Sequence, residues 1–598
     1  MKRYCLELTL TGPVMMPGTE NVTHGVDASF QRNWEGKFII PGTQVKGVVR
    51  HALSAMATAI GKSKNPQSII DRSWIDRFFG KASSASAEEY EEPGTTGWEP
   101  QRSRVLFSDL VLKDAKDHSQ LMTRIGINNY TGTVKHGHIQ ILEQPLDIGE
   151  VGIFEGYITI RSEDEDAEEI RKWINKALAF VPAIGSGKSS GFGRVKGYKI
   201  NEINEKKDEQ EINEDLIHKI IAAGAADVTL KFDGPFLVAC NTWNSNDFSG
   251  SENIPGSVLK AVIGEETGAY KTDDKLHDSL SRCVISQLSP LTEKGEPSPT
   301  IKHSDYCIKI DDGIIFLDAL HDAVEEDAKC GLLSFQIDWK EEIWDKHPQK
   351  LEAGKTNILH SSRTRTAINS DEVADEGLLF SYSSIIPGEQ VWKGCISKGS
   401  LTDAEFSALI KAIPEYLQGF GKTSTGAKIT LAPKERHIPQ PSGIITLMLE
   451  TDACLHAPDD LFSFDMVNDD AEQLRLQYQA YFANALRERQ TFEEIQFDNT
   501  DLSLQFYARQ YRIGGYLAGR YPPSATGYYP WILTKAGAVF QFTVPKGYEE
   551  AARSFFQRGL PVPSSFDEHR KTWRGNPFVP ENGFGEVTFI DPMKGSVS

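Results

Sequence analysis

The sequence has little of several features that would define a class of protein. Its seven cysteines are an odd, scattered set without a Cys-x-x-Cys pair, which argues against a disulfide framework and against a zinc site. Its apolar runs fall well short of the ~18 residues that a membrane-spanning helix needs. The first residues alternate as a strand does and lack the apolar core of a secretory signal. These absences favour a reducing, cytoplasmic setting.

Basic residues are also too few for a bulk binder of polyanions. The 598 residues include 84 acidic and 64 basic side chains, a net charge of −20, which counts against a large positive surface. Residues 163–169 and 202–215 hold thirteen of the acids, and we expect both segments to be solvated surface or linker. Any groove for a nucleic acid must therefore be local.

What the sequence does contain is a set of blocks that recurs in one order. The first copy has an alternating strand at 4–12, FIIPGTQVKGVVRHAL at 38–53, TRIGINNYTGTV at 123–134, DIGEVGIFEGYITI at 147–160, a helical pattern at 166–181 and IGSGKSSGFGRVKGYKI at 184–200. The second copy has NIPGSVLKAVIG at 253–264, TRTAIN at 364–369, IPGEQVWKGCI at 386–396, a helical pattern at 403–418 and GFGKTSTGAKITL at 419–431. A third, degenerate copy begins near residue 443.

The order strand, helix, strand, strand, helix, strand in the first two copies predicts an α+β protein of tandem ferredoxin-like domains. We expect domains at 1–200, 225–432 and 443–592, with an acidic linker at 201–224. Residues 62–122 and 265–362 are predicted to be insertions.

The PGTQVKGVVR block predicts a turn followed by a helix. Thr43 can cap the helix start, and Lys46 and Arg50 are four residues apart on one face. Free N–H groups at a helix start beside two cations would suit a phosphate. A plain helix with two solvated bases explains the block equally well.

The glycine-rich blocks do not fit a nucleotide-binding P-loop. That motif needs a glycine where the two copies have Pro182 and Tyr416, and it opens a helix, whereas these blocks continue as strands. A turn that lets the backbone approach a nucleic-acid backbone is the better interpretation, and a purely structural turn is the alternative. The candidate contacts are Gly185, Gly187, Lys188, Ser189, Gly191, Phe192, Gly193 and Arg194, with Gly419, Gly421 and Lys422 in the second copy.

The loop before the first PGT block holds His24, Asp27 and Arg32. An aspartate beside bound phosphate can hold a divalent ion or position a 2′-hydroxyl. From the residues alone, a solvated aspartate or one that bonds its own turn is the more common case.

Together these blocks resemble the RAMP superfamily, the repeat-associated proteins of class 1 CRISPR effector complexes. The first copy is similar to a backbone subunit of a type III complex. The later copies are similar to the cap-like subunit of type III-D systems. The resemblance implies a subunit that binds crRNA along the glycine loops and the basic helix, with a thumb hairpin near 125–148 against the guide–target duplex. It adds Arg124, Lys260 and Arg365 to the candidate RNA contacts.

The resemblance also implies metal-dependent cleavage of target RNA, with Asp27 as the catalytic residue and the ligand of a divalent metal, expected to be Mg²⁺. His24 and Arg32 are candidate assistants. The implied partners are crRNA, target RNA, other RAMP subunits, a small subunit and a large polymerase-type subunit, with no membrane.

The second copy departs from this pattern. Gly264 stands where Arg50 is expected, and Asp247 lies eight residues before Pro255, against fourteen for Asp27 before Pro41. We therefore do not predict that Asp247 is catalytic. A non-catalytic crRNA scaffold, a metal-independent guide-processing ribonuclease and a nucleotide hydrolase are the alternatives, and the missing P-loop glycines count against the last.

Overall fold

The computed structural model describes residues 2–18, 25–61, 70–81, 103–114, 120–162, 164–203, 214–238, 241–244, 246–269, 275–310, 313–320, 346–368, 374–434, 443–458, 470–489, 502–524 and 527–590. The chain divides into two compact units, one formed by the first 210 residues and the other by most of the remainder. Among the described helices, none combines the length and the apolar character that a bilayer crossing requires.

The first unit is a single domain. Its described elements are β1 (Lys2–Thr11), β2 (Ile39–Ile40), α1 (Gly42–Gly61), α2 (Arg72–Phe79), β3 (Val105–Phe107), β4 (Leu110–Leu112), β5 (Gln120–Ile127), β6 (Val134–Gln144), β7 (Val151–Ile160), α3 (Asp164–Ala179) and β8 (Arg194–Glu202).

The sheet of domain one has the ferredoxin-like strand order. Strands β4, β7, β1 and β8 lie side by side in that order, and neighbours are antiparallel. Alternate residues of β1 are buried because side chains of a strand point to opposite faces. Leu6 and Leu8 share a core with Val49 of α1 and Ile174 of α3, so both helices cover one face of the sheet.

Two boundaries differ from the sequence expectations. Strand β4 lies inside the segment 62–122, which therefore supplies a core strand and is not only an insertion. Strands β5 and β6 form a separate two-stranded hairpin, so the predicted thumb extends over residues 120–144 and begins before residue 125.

Domain two opens the second unit. Its described elements are α4 (Glu214–Ala223), β9 (Ala225–Phe232), β10 (Asn241–Asn244), β11 (Asp247–Ser249), α5 (Gly256–Thr267), α6 (Lys275–Arg282), β12 (Val284–Ile285), β13 (Ser289–Pro290), β14 (Asp305–Ile310), β15 (Gly313–Asp318), α7 (Pro348–Ala353), β16 (Leu359–Ile368), β17 (Ala374–Ile386), β18 (Trp392–Ser397), α8 (Asp403–Ala412), β19 (Tyr416–Phe420) and β20 (Thr425–Pro433).

Domain two repeats the strand order of domain one. Strands β12, β18, β9 and β20 are neighbours in that order, and α5 and α8 follow β9 and β18 in the chain. The core strand β12 lies within the predicted insertion 265–362, so that segment also supplies part of the sheet. The end of the predicted linker is the helix α4, whose Ile217 and Ile220 are buried in the core of domain two.

Domain three completes the second unit with the same order. Its described elements are β21 (Ile444–Leu449), α9 (Asp470–Glu488), β22 (Leu504–Tyr507), β23 (Gln510–Ile513), α10 (Gly515–Arg520), β24 (Trp531–Thr534), β25 (Val539–Thr543), α11 (Glu549–Arg558) and β26 (Val587–Phe589). The sheet order is β22, β25, β21, β26. The copy that looked degenerate in sequence therefore has a full ferredoxin-like core, and the α+β fold class of tandem ferredoxin-like domains is confirmed.

Domains two and three form one compact unit. The His303 N–H donates to the carbonyl oxygen of Gly537 at 2.6 Å, and the indole N–H of Trp573 donates to the Ser281 hydroxyl at 3.1 Å. The sequence does not show whether the second and third copies form one lobe or two. These contacts show that they form one.

Candidate nucleic-acid interface

The Asp27 loop is attached to the base of the β5–β6 hairpin. The Asp27 N–H donates to the carbonyl oxygen of Ile141 on β6 at 2.9 Å, and the carboxylate oxygen Oδ2 accepts the Ile141 N–H at 2.7 Å. Asp27 is exposed. The other carboxylate oxygen has no hydrogen bond or ion pair among the described residues, so this loop presents a carboxylate to solvent beside the hairpin. His24 lies outside the described residues.

Arg32 holds the same loop to β6. Its guanidinium donates to a carboxylate oxygen of Glu143 at 2.6 Å and to the Gly36 carbonyl at 2.8 Å, and it lies over the Phe38 ring. The Glu143 side chain is buried and also accepts the Phe30 N–H at 2.9 Å. These bonds make Arg32 a positioning residue for the loop. None of these contacts supports the predicted role of Arg32 as a catalytic assistant.

The glycine loop of domain one packs against the chain that follows β1. The Gly193 N–H donates to the Pro13 carbonyl and the Ser186 N–H to the Met15 carbonyl, both at 2.8 Å. Gly193 has a φ of +64°, and a Cβ there would overlap the Ile184 carbonyl oxygen, so glycine is required. Gly185, Gly187 and Gly191 also have positive φ values.

The middle of this loop faces solvent. Lys188, Ser189, Ser190 and Arg194 are exposed, on a short 3₁₀ turn and the strand that follows it. Phe192 is different, because it is only 4% exposed and belongs to the domain core. The expectation that Phe192 contacts RNA is therefore corrected: the ring anchors the loop and cannot stack on a base.

The hairpin and the glycine loop meet at Arg124. Its guanidinium donates to the Ser190 hydroxyl at 3.3 Å and lies 5.2 Å from the centroid of the Phe192 ring. Most of the hairpin is open to solvent, and its exposed side chains include the apolar Ile125 and Ile127 and the fully exposed Tyr130. The Asp27 loop, the hairpin and the glycine loop thus form one continuous surface, which we call the three-segment surface.

The helix α1 does not offer the phosphate seat that its sequence suggests. The Gly42 N–H at its start donates to the Asp109 carboxylate at 2.9 Å, so a fixed negative charge already caps the helix. Arg50 pairs with Asp76 at 2.7 Å. Lys46 remains as a candidate contact, and burial together with the charge of Arg50 lowers the pKa of its amine to about 8.

Domain two carries a related surface. The Lys422 N–H donates to the Leu237 carbonyl at 2.9 Å, and its ammonium lies 3.1 Å from the centroid of the Phe248 ring. Arg365 on the hairpin strand β16 lies over the Tyr382 ring of β17 at 4.9 Å. Gly419 and Gly421 have positive φ values, as the glycines of domain one do.

Lys260 is not part of that surface. Its ammonium donates to the carbonyl oxygens of Cys283 at 2.8 Å and Ser281 at 3.4 Å, the residue is buried, and burial lowers its pKa. Its predicted RNA contact is corrected to a structural one. The helical position that matches Lys46 has therefore become part of the core in domain two.

The predicted divalent ion would have few protein ligands. In the described ranges no group of three or more His, Cys, Asp or Glu side chains could hold a metal. Magnesium usually keeps several waters and takes one or two carboxylates together with substrate phosphates. A single exposed carboxylate such as Asp27 fits an ion whose remaining ligands come from RNA and water.

Comparison with known proteins identifies a family for the first domain. Residues 7–196 match the RAMP superfamily, so the first domain is a RAMP domain, and the predicted resemblance is confirmed there. No curated relative matches the chain.

Similar chains occur in solved CRISPR complexes. One belongs to a type III-B Cmr-beta complex bound to cognate target RNA and AMPPnP, with 12% identity, a TM-score of 0.31, and coverage of 62% of this chain and 98% of that one. Another belongs to a type IV-B CRISPR complex, with 11% identity, a TM-score of 0.23, and coverage of 33% and 90%. Similarity at this level does not identify a shared function.

Proposed function

We propose that this chain is a subunit of a type III CRISPR ribonucleoprotein that binds crRNA and the guide–target duplex. The RAMP match of residues 7–196 supports the assignment. The observation that carries it is the three-segment surface, where Arg124 and Ile141 of one hairpin bond to the glycine loop and to the Asp27 loop. Other RAMP subunits, a small subunit and a large polymerase-type subunit are the proposed partners.

On this surface the RNA backbone would contact the exposed turn at 188–190. Lys188, Ser189 and Arg194 offer two cations and a hydroxyl on an open loop, and such groups bind phosphate oxygens without reading sequence. The contact is local, which reconciles RNA binding with a net charge of −20. The exposed Ile125, Ile127 and Tyr130 of the hairpin suit contact with the faces of bases.

We further propose that domain one cleaves the target RNA at Asp27. The Ile141 N–H holds one carboxylate oxygen and leaves the other free to accept a bond from the RNA or to bind an ion. Arg32 keeps the loop in place through Glu143. A divalent ion bound there would neutralise charge that develops on the phosphate.

The test is target-RNA cleavage by the ribonucleoprotein purified through a tag on this chain, in the presence of Mg²⁺. Asp27→Ala should abolish one cut and leave guide and target binding unchanged. Asp27→Asn is the sharper variant, because an amide oxygen can still accept the Ile141 N–H while the charge is lost. Loss of the cut in both variants supports catalysis.

A non-catalytic crRNA scaffold is the second candidate. The same bond between Asp27 and Ile141 favours it, since fixing the loop is a sufficient reason for an aspartate. An unchanged set of cuts in both Asp27 variants, with intact RNA binding, would establish the scaffold and end the catalytic proposal.

A further inference from the structure

In each of the first two domains, a loop lies beside the second strand of the hairpin and runs parallel to it. In domain one the parallel bridge joins Ala28 to Leu142 of β6. In domain two the parallel strand β11 joins Phe248 to Tyr382 of β17. Asp27 immediately precedes the bridged Ala28. Asp247 immediately precedes Phe248 and is the first paired residue of its strand, opposite Ser381.

The two loops are anchored at the same distance after that aspartate. Four residues on, the Gln31 N–H donates to the Met16 carbonyl at 2.7 Å. In domain two the Ser251 N–H, again four residues on, donates to the Val238 carbonyl at 3.0 Å. The loops therefore share a register as well as a direction.

In both domains the glycine loop donates a hydrogen bond to the carbonyl of the residue just before the one that anchors the aspartate loop. The Ser186 N–H donates to Met15, and the Lys422 N–H donates to Leu237. With three segments tied by the same main-chain bonds, Asp247 occupies in domain two the place that Asp27 occupies in domain one.

The sequence spacing that argued against Asp247 has a local cause. In domain one the chain leaves Gln31 and returns when the Ile39 N–H donates to the Gln31 carbonyl at 3.0 Å. Residues 32–38 form this excursion, closed by a bridge from Arg32 to Phe38. Gln31 lies ten residues before Pro41, whereas Ser251 lies four residues before Pro255. The difference of six residues between the two spacings therefore arises after the anchored residues Gln31 and Ser251.

Asp247 is also available to a ligand. It is partly exposed, and its carboxylate has no hydrogen bond or ion pair within the part of the chain that the structure describes.

We propose that Asp247 is a second active-site carboxylate, which orients the 2′-hydroxyl of a second nucleotide in the bound target RNA. In this step the 2′-oxygen bonds to phosphorus, the bond from phosphorus to the 5′-oxygen breaks, the hydroxyl proton passes to solvent and the departing 5′-oxygen takes a proton from solvent. The products are a 2′,3′-cyclic phosphate and a 5′-hydroxyl. The inference depends on the proposed function.

The experiment compares end-labelled target RNA after reaction with the wild-type ribonucleoprotein, Asp27→Asn, Asp247→Asn and the double variant. We expect two cuts in the wild type, loss of a different one in each single variant and loss of both in the double variant. Glu296→Gln changes an exposed acid outside the aspartate loops, the hairpins and the glycine loops; it is the control and should keep both cuts.

The outcomes separate the two proposals. If Asp27→Asn removes a cut and Asp247→Asn removes none, the inference fails and the proposed function stands. If only Asp247→Asn removes a cut, the inference stands and the role of Asp27 fails. A wild-type complex that leaves RNA intact overturns both.

Discussion

Domains one and two build the same surface from different side chains. In domain one, Arg124 bridges the hairpin to the glycine loop. In domain two, Lys422 and Arg365 lie over the rings of Phe248 and Tyr382. The main-chain bonds that tie the segments are shared, whereas the cations are not. The backbone therefore defines the surface, and the side chains decide how each copy uses it.

The helices after the first strand of each domain show a sharper difference. Lys46 is partly exposed with a lowered pKa, while Lys260 is buried and donates to two main-chain carbonyls. Equivalent positions thus serve a candidate RNA contact in one domain and the core in the other.

The largest expected effect tests whether the glycine loops are built alike. Gly185→Ala should lower the free energy of unfolding by about 3 kcal/mol, because the new Cβ overlaps the Met15 carbonyl at a positive φ. Gly421→Ala should do the same against Leu237. Gly191→Ala, with open space around its Cβ, is the matched control and should cost about 1 kcal/mol. Thermal unfolding measures all three. Clearly different losses in the two clashing variants, or a loss in Gly191→Ala as large as theirs, would contradict the shared construction.

The next effect separates the two lysines. Lys260→Met should lower the free energy of unfolding by about 2 kcal/mol, because two carbonyls lose their buried donor. Lys46→Met should change it by less than about 0.5 kcal/mol and should weaken binding of guide RNA. A denaturant titration and an RNA-binding assay check the pair. Similar stability losses in both variants would contradict the comparison.

The smallest effect is the pH dependence at Lys46. Since its pKa is about 8, the amine is mostly charged at pH 7 and mostly neutral at pH 9, so its attraction to phosphate falls as the pH rises. Guide affinity should drop about threefold across this window in the wild type. It should drop less in Lys46→Arg, which stays charged. Parallel pH profiles of the two proteins would exclude Lys46 as a contact.

The repeated blocks made the fold class predictable. Hydrophobic alternation identifies β1, and the helical spacing of apolar residues identifies α3 and α8. The second core strands were not recognisable, because β4 and β12 have only three and two residues and short runs carry no period. The helix α9 carries a usable signal in the sequence, because Tyr478, Phe482 and Leu486 recur at helical spacing, and all three are buried.

The candidate site was predictable only in part. Sequence order indicated the three segments but not which side chains face solvent. Phe192 is buried and the Asp109 carboxylate caps α1, and both depend on long-range packing. The residue count before Pro255 argues against Asp247, and a local excursion of the chain in domain one explains that count.

Photo-crosslinking of 4-thiouridine-substituted guide and target RNA in the purified ribonucleoprotein, followed by peptide mapping, tests the three-segment surface most directly. We expect adducts within residues 120–144 and 185–194. Adducts confined to the open face of the domain-one sheet, around Tyr157 and Lys199, would contradict it.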